Sequence, residues 1–129
     1  MKILRGERRR DLERRFLNQS VLRSGAHTNR QNAAPLVEAV ADRLRKGAEE
    51  YGDGAFWSKD CFPEIAEEIM DILGWGSLEY VKRLEADQKA AASGLAHIGA
   101  DAVELWFKLH AWHRQYGSIA NAVDRQIAA

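Results

Sequence analysis

The chain has 129 residues, 46% of them hydrophobic and 29% charged, with 19 Lys/Arg balancing 19 Asp/Glu. That is the make-up of one soluble globular domain rather than a disordered chain, and no apolar run nears the roughly 18 residues that span a membrane. The one cysteine, Cys61, excludes a disulfide framework, and with no signal-peptide apolar core in residues 1–30 the expected location is the reducing cytoplasm.

The charge is unevenly spread. Residues 1–32 hold nine Lys/Arg against three Asp/Glu, about +6, and the remainder about −6. Within that segment Leu12 and Phe16 are four residues apart, which predicts one short helix over 8–18. The following SVLRSGAHTNRQNAA is polar and without a sustained period, and reads as a loop. A basic arm of this kind can touch nucleic acid or lie against the chain's own carboxylates.

The first strong helix is predicted over 35–51. Pro35 suits a first helical position, and Gly52 can supply the left-handed residue that ends it. Leu36, Val37, Val40, Leu44, Ala48 and Tyr51 fall on one side at the helical period. Glu50 lies at the edge of that side and Glu49 nearly opposite. Lys46 and Glu50 are spaced for a surface ion pair worth tenths of a kcal/mol. Residues 52–62, GDGAFWSKDCF, form a loop whose Phe56 and Trp57 either cap the core or stack on a base.

A second helix is predicted over 63–86, with Ile65, Ile69, Ile72, Leu73, Tyr80 and Leu84 on its buried side. Glu64, Glu68 and Asp71 stand at offsets 0, 4 and 7, within an arc of about 60°. Glu67 turns further toward solvent, and Trp75 and Glu79 extend the arc. Stacked carboxylates repel unless a cation intervenes. Acids are favoured in a first helical turn, which accounts for Glu64 but not for Asp71 two turns in. Gly74 and Gly76 each cost the helix about 1 kcal/mol, which predicts a close approach or a kink.

Residues 87–129 read as further helix, with breaks expected near Ser93–Gly94 and near Gly117 and a short terminal helix after it. Ala96, Ala100, Val103, Phe107 and His110 share one side. His110 and His113 are spaced to share a ligand, but His97 points elsewhere, so a zinc site of three or four ligands is not expected. Strand signals are lacking. The expectation is an all-α bundle of about four to five helices over 35–129, behind a basic, partly ordered N-terminal arm over 1–34.

Two segments carry a family resemblance. EEIMDILGW resembles the EExxD helix opening of the MazG-like all-α nucleotide pyrophosphohydrolases, and KGAEEYGDGAFW is similar to the K-x-x-x-E-Y-G-D-x-x-x-W segment of phage relatives placed near that group. The similarity covers roughly residues 36–85. It implies a helical, usually oligomeric protein that uses Mg²⁺ (or Mn²⁺) to cleave nucleoside triphosphates to monophosphate and pyrophosphate. By position Glu68 and Asp71 match the ExxD pair, Glu64 is the additional acid of that face, and Glu50, with Asp53, stands for the acids of the preceding helix. The chain departs from the pattern there, since Glu49, Glu50 and Asp53 form no ExxE.

In the mechanism so implied, carboxylates and substrate phosphates hold the ion, and a bound water attacks phosphorus. Glu64 or Glu50 accepts the water's proton, Lys46 or an arginine of the arm steadies the leaving pyrophosphate, and Trp57 or Trp75 stacks on the base. The alternative from the residues alone is a non-enzymatic helical module that binds a protein partner, or nucleic acid through residues 1–32.

Overall fold

The computed structural model describes residues 6–24, 30–52 and 59–117. The chain is all-α: the described residues form four helices and no strand, α1 (Gly6–Arg23), α2 (Arg30–Tyr51), α3 (Phe62–Glu85) and α4 (Lys89–Tyr116). It divides into two compact units, Met1–Lys59 and Asp60–Ala129. The first holds α1 packed on α2, the second α3 packed on α4. Among the described residues no helix is long and apolar enough to cross a membrane.

In the first unit both helices exceed their expected lengths. α1 continues past residue 18 to Arg23, and α2 begins at Arg30, so Pro35 lies inside the helix. Proline there removes one backbone hydrogen bond, and the strong helix formers Ala33 and Ala34 carry the helix across it. Gly52 ends α2 as its sequence position predicts, at φ +85° with its N–H donating to the Ala48 carbonyl. Val37 is buried, and Val40, Ala41, Leu44 and Ala48 are half-buried, whereas Leu36 and Tyr51 turn outward. The pair Arg14–Glu38, Nη1 to Oε1 at 2.6 Å, ties α1 to α2.

In the second unit, Asp60 accepts the Phe62 N–H at 3.1 Å and Pro63 occupies the first turn of α3. Glu64 sits in that first turn and Lys82 and Arg83 in the last, each sign complementing the helix dipole. The helix stops in a Schellman turn: Gln88 N–H donates to the Arg83 carbonyl and Asp87 N–H to that of Leu84. Asp87 holds the left-handed position at φ +58°, where glycine is usual. The chain then reverses into α4, which runs antiparallel: Leu73 meets Gly99, and Phe62 meets His113.

α4 passes through Ser93–Gly94 without the expected break. The alanines at 90–92 and 96 supply the propensity that offsets the glycine. It ends at Gly117, φ +67°, whose N–H donates to the His113 carbonyl. The terminal helix expected after Gly117 lies outside the described residues.

The core of this unit is small. Ala66, Ile69, Ala92 and Ala102 are buried, Ile69 at 2% exposure, and Leu73, Leu95, Gly99, Trp106 and Leu109 are half-buried around them. Several residues expected inside are exposed: Ile65, Ile72, Tyr80 and Leu84 on α3, and Val103 and Phe107 on α4. The α4 side carrying 96, 100, 103 and 107 is therefore not the one that packs on α3. Gly74 and Gly76 have no neighbour within 4 Å of an added Cβ, so the expected close approach is not at these positions; at Gly99 an added Cβ would lie 3.8 Å from Leu73, in ordinary van der Waals contact.

Two outcomes follow from these contacts. Asp87→Gly relieves the left-handed residue and should raise unfolding stability by about 1 kcal/mol, read from urea denaturation. The Glu38 carboxyl is held below the usual carboxylate range, chiefly by its hydrogen bond from Arg14 and then by that residue's charge. A carboxyl lowered by folding stabilises above the ordinary glutamate range and ceases to do so as pH falls through its lowered value. Glu38→Gln should thus lower the melting temperature slightly at neutral pH, the pair being exposed, and the difference should vanish in acid below that value.

Candidate functional site

The acid-bearing side of α3 is the feature that carries most chemistry. Helical spacing sets Ala66, Ile69 and Leu73 toward α4, and so turns Glu64, Glu68 and Asp71 away from it. All three are exposed, as is Glu67. No Lys, Arg or His occurs in residues 62–81; the first cations are Lys82 and Arg83, and Arg83 pairs with Glu79 at 2.9 Å. Glu68 and Asp71 form no ion pair among the described residues. Trp75 follows Asp71 one turn on, 73% exposed, where its ring is accessible for stacking.

Hard cations such as Mg²⁺ are commonly held by one or two carboxylates, with waters and substrate phosphates completing the shell. Glu68 and Asp71, i, i+3 neighbours on one helix, match that donor set in type and number. Among the described residues no group of three or more His, Cys, Asp or Glu side chains is placed to hold a metal ion.

The other expected site residues are spread more widely. Glu50 is exposed at the end of α2, in the first unit. Asp53 and Trp57 lie outside the described residues. Lys46 reaches back along α2, its Nζ 3.1 Å from Asp42 Oδ2, rather than forward to Glu50. Asp42 also accepts from Arg45, and these two cations hold its carboxyl below the usual range, the Arg45 hydrogen bond first. Lys46 thus belongs to an exposed ion-pair cluster with Arg45 and Glu49.

At the end of α4 the two histidines take up packing roles. His110 Nδ1–H donates to the Trp106 carbonyl at 2.8 Å, a tautomer fixed by the acceptor. The His113 ring stacks on Phe62 at 3.8 Å, and His110 meets the same ring edge-on at 5.2 Å. With Phe62 lodged against both imidazoles, the i, i+3 pair acts as an aromatic cap on the hairpin.

A second feature escaped the reading of the sequence. In the first unit a pocket of about 450 Å³ is lined by Arg9, Arg43, Leu44, Gly47, Tyr51, Gly52 and Lys59. Its described lining contains three cations and no carboxylate, although Arg9 also pairs with Glu13 at 2.6 Å. Such a pocket suits an anion, with the exposed Tyr51 ring at its rim. The signal was present as Arg43, Gly47 and Tyr51 at four-residue spacing, one line along α2. It was masked because Arg9 and Lys59 come from elsewhere in the chain.

Compared with protein-family models, with curated proteins and with solved structures, the chain matches none.

Proposed function

We propose that the chain is a metal-dependent nucleotide pyrophosphohydrolase, cleaving nucleoside triphosphates to monophosphates and pyrophosphate with Mg²⁺ or Mn²⁺. The observation that carries this reading is the exposed row Glu64, Glu68 and Asp71 on a helix stretch without a single basic residue. Its likeness to the EExxD helix of the MazG-like enzymes supports it. Glu68 and Asp71 are the metal-holding carboxylates, and when bound the ion neutralises phosphate oxygens and acidifies a water. Glu64, one turn before Glu68, accepts the proton of the attacking water. Trp75 offers its open ring to the base. In this reading the protein is a cytoplasmic homo-oligomer.

A second reading rests on α1. Arg8, Arg10, Arg15 and Arg23 are exposed and form no ion pair among the described residues, which suits a contact with nucleic-acid phosphates.

Purified protein with Mg²⁺ or Mn²⁺ should release pyrophosphate from at least one nucleoside triphosphate. Glu64→Gln should lower kcat by about 10²–10⁴-fold, and Glu68→Ala and Asp71→Ala should abolish metal-dependent turnover, with helical circular dichroism unchanged because all three side chains are exposed. A folded protein inert toward every triphosphate, or fully active after both alanine substitutions, sinks the reading. For the second, affinity for a short DNA or RNA should fall steeply with salt, and the Arg10→Glu, Arg15→Glu double variant should flatten that dependence. Binding that is indifferent to salt removes α1 from the account.

A further inference from the structure

The hairpin of α3 and α4 buries few large apolar side chains and leaves many exposed. Three of its four buried residues are alanines. Ile65 and Ile72 recur at seven-residue spacing on α3, as do Ile98, Leu105 and Trp112 on α4, and a seven-residue repeat keeps each line nearly straight along its helix. Each line lies about a quarter-turn round from the seam, and in an antiparallel pair the two fall on the same flank. Ile72 and Ile98 line one groove between the helices, as that placement requires. The five side chains remain between 44% and 55% exposed.

We propose that this flank pairs with the same flank of a second copy of the chain, about a two-fold axis perpendicular to the helices at the level of Leu105. The register argues for a copy rather than a different partner. A two-fold at Leu105 sets that residue against itself and Ile98 against the second copy's Trp112. The contacts Leu73–Gly99 and Phe62–His113 put Leu105 level with the midpoint between Ile65 and Ile72, so the same axis sets Ile65 against the second copy's Ile72. Asp101 and Lys108 border the α4 line on one rim, at nearly equal distances on either side of the axis. Both are exposed, and neither is in an ion pair among the described residues. The axis brings each Asp101 to the other copy's Lys108. A flank that satisfies its own apolar line and its own charges under one rotation is an isologous interface.

The area agrees. At about 200 Å² for each full residue, the five half-exposed side chains offer about 500 Å² of apolar surface per copy. A standard interface buries about 800 Å² per partner, of which about 60% is apolar. A further consequence rests on the hydrolase reading: the axis passes at the level of Glu68, so carboxylates from both chains lie at one height along the paired α3 helices.

The test is the mass of the full chain in solution, by sedimentation equilibrium, independent of any activity. The 14.5 kDa chain should sediment as a dimer, and Leu105→Glu should yield a monomer of unchanged helical content. Asp101→Lys and Lys108→Asp should each weaken the dimer several-fold at low salt, and the double swap should restore it; these exposed positions leave the fold intact, so the register is tested even if Leu105→Glu disrupts folding. A wild-type monomer at hundreds of micromolar would falsify the proposal, and a Trp112 then shielded from a soluble quencher would mean that the flank is covered from within the chain. A dimer indifferent to Leu105→Glu uses another surface, and a heterocomplex in place of the dimer assigns the flank to a different protein; either outcome overturns the pairing.

Discussion

The buried residues of the seam between α3 and α4 are mostly small side chains, and most properties of the second unit depend on that. Ala66, Ile69, Ala92 and Ala102 are its buried residues, and a Cβ added at Gly99 would lie 3.8 Å from Leu73, in ordinary van der Waals contact. Alanine and glycine let two helix axes approach closely, and alanine loses no side-chain entropy on burial. They also bury little area. The large apolar residues that would thicken a core stand beside the seam instead, which leaves a flank rich in Ile, Leu and Trp. Glu64, Glu68 and Asp71 occupy the remaining side, exposed and away from the seam.

The first unit relies on charge to a greater degree. Val37 is its one buried hydrophobic residue among those described, and ion pairs run along and between its helices, from the half-buried Arg9–Glu13 to the more exposed Arg14–Glu38 and Asp42 with Arg45 and Lys46. Pairs of this kind contribute little stability each, but they fix direction: Arg14 and Glu38 set which faces of α1 and α2 meet. They also sort the remaining cations. Lys46 is drawn to Asp42, whereas Arg43 lines a pocket whose described lining holds no carboxylate.

Local chemistry made much of this legible in advance. Gly52 and Gly117 end helices because the chain there needs positive φ, and Pro63 begins one because its missing N–H is no loss in a first turn. The acid row could be placed on one side of α3 from spacing alone, and the structure finds Glu64, Glu68 and Asp71 exposed together. Elsewhere local signals misled where neighbours outweighed them. Pro35 did not start α2, because Ala33 and Ala34 extend the helix before it, and Ser93–Gly94 did not break α4, because alanines flank it. The cationic pocket was illegible for another reason: its lining is drawn from three separate segments.

The all-α class, the helix ends at Gly52 and Gly117 and the carboxylate row were determined by sequence alone, since each depends on residues within a turn or two of one another. Which apolar stripe becomes a seam was decided only by tertiary structure. Two stripes of α4 competed for it: Ala96, Ala100, Val103 and Phe107 form one, and Ala92, Leu95, Gly99, Ala102 and Trp106 the other. Periodicity marks both equally. The second packs against α3, with Ala92 and Ala102 buried and Gly99 beside Leu73, and that fit depends on the shapes of two helices brought together.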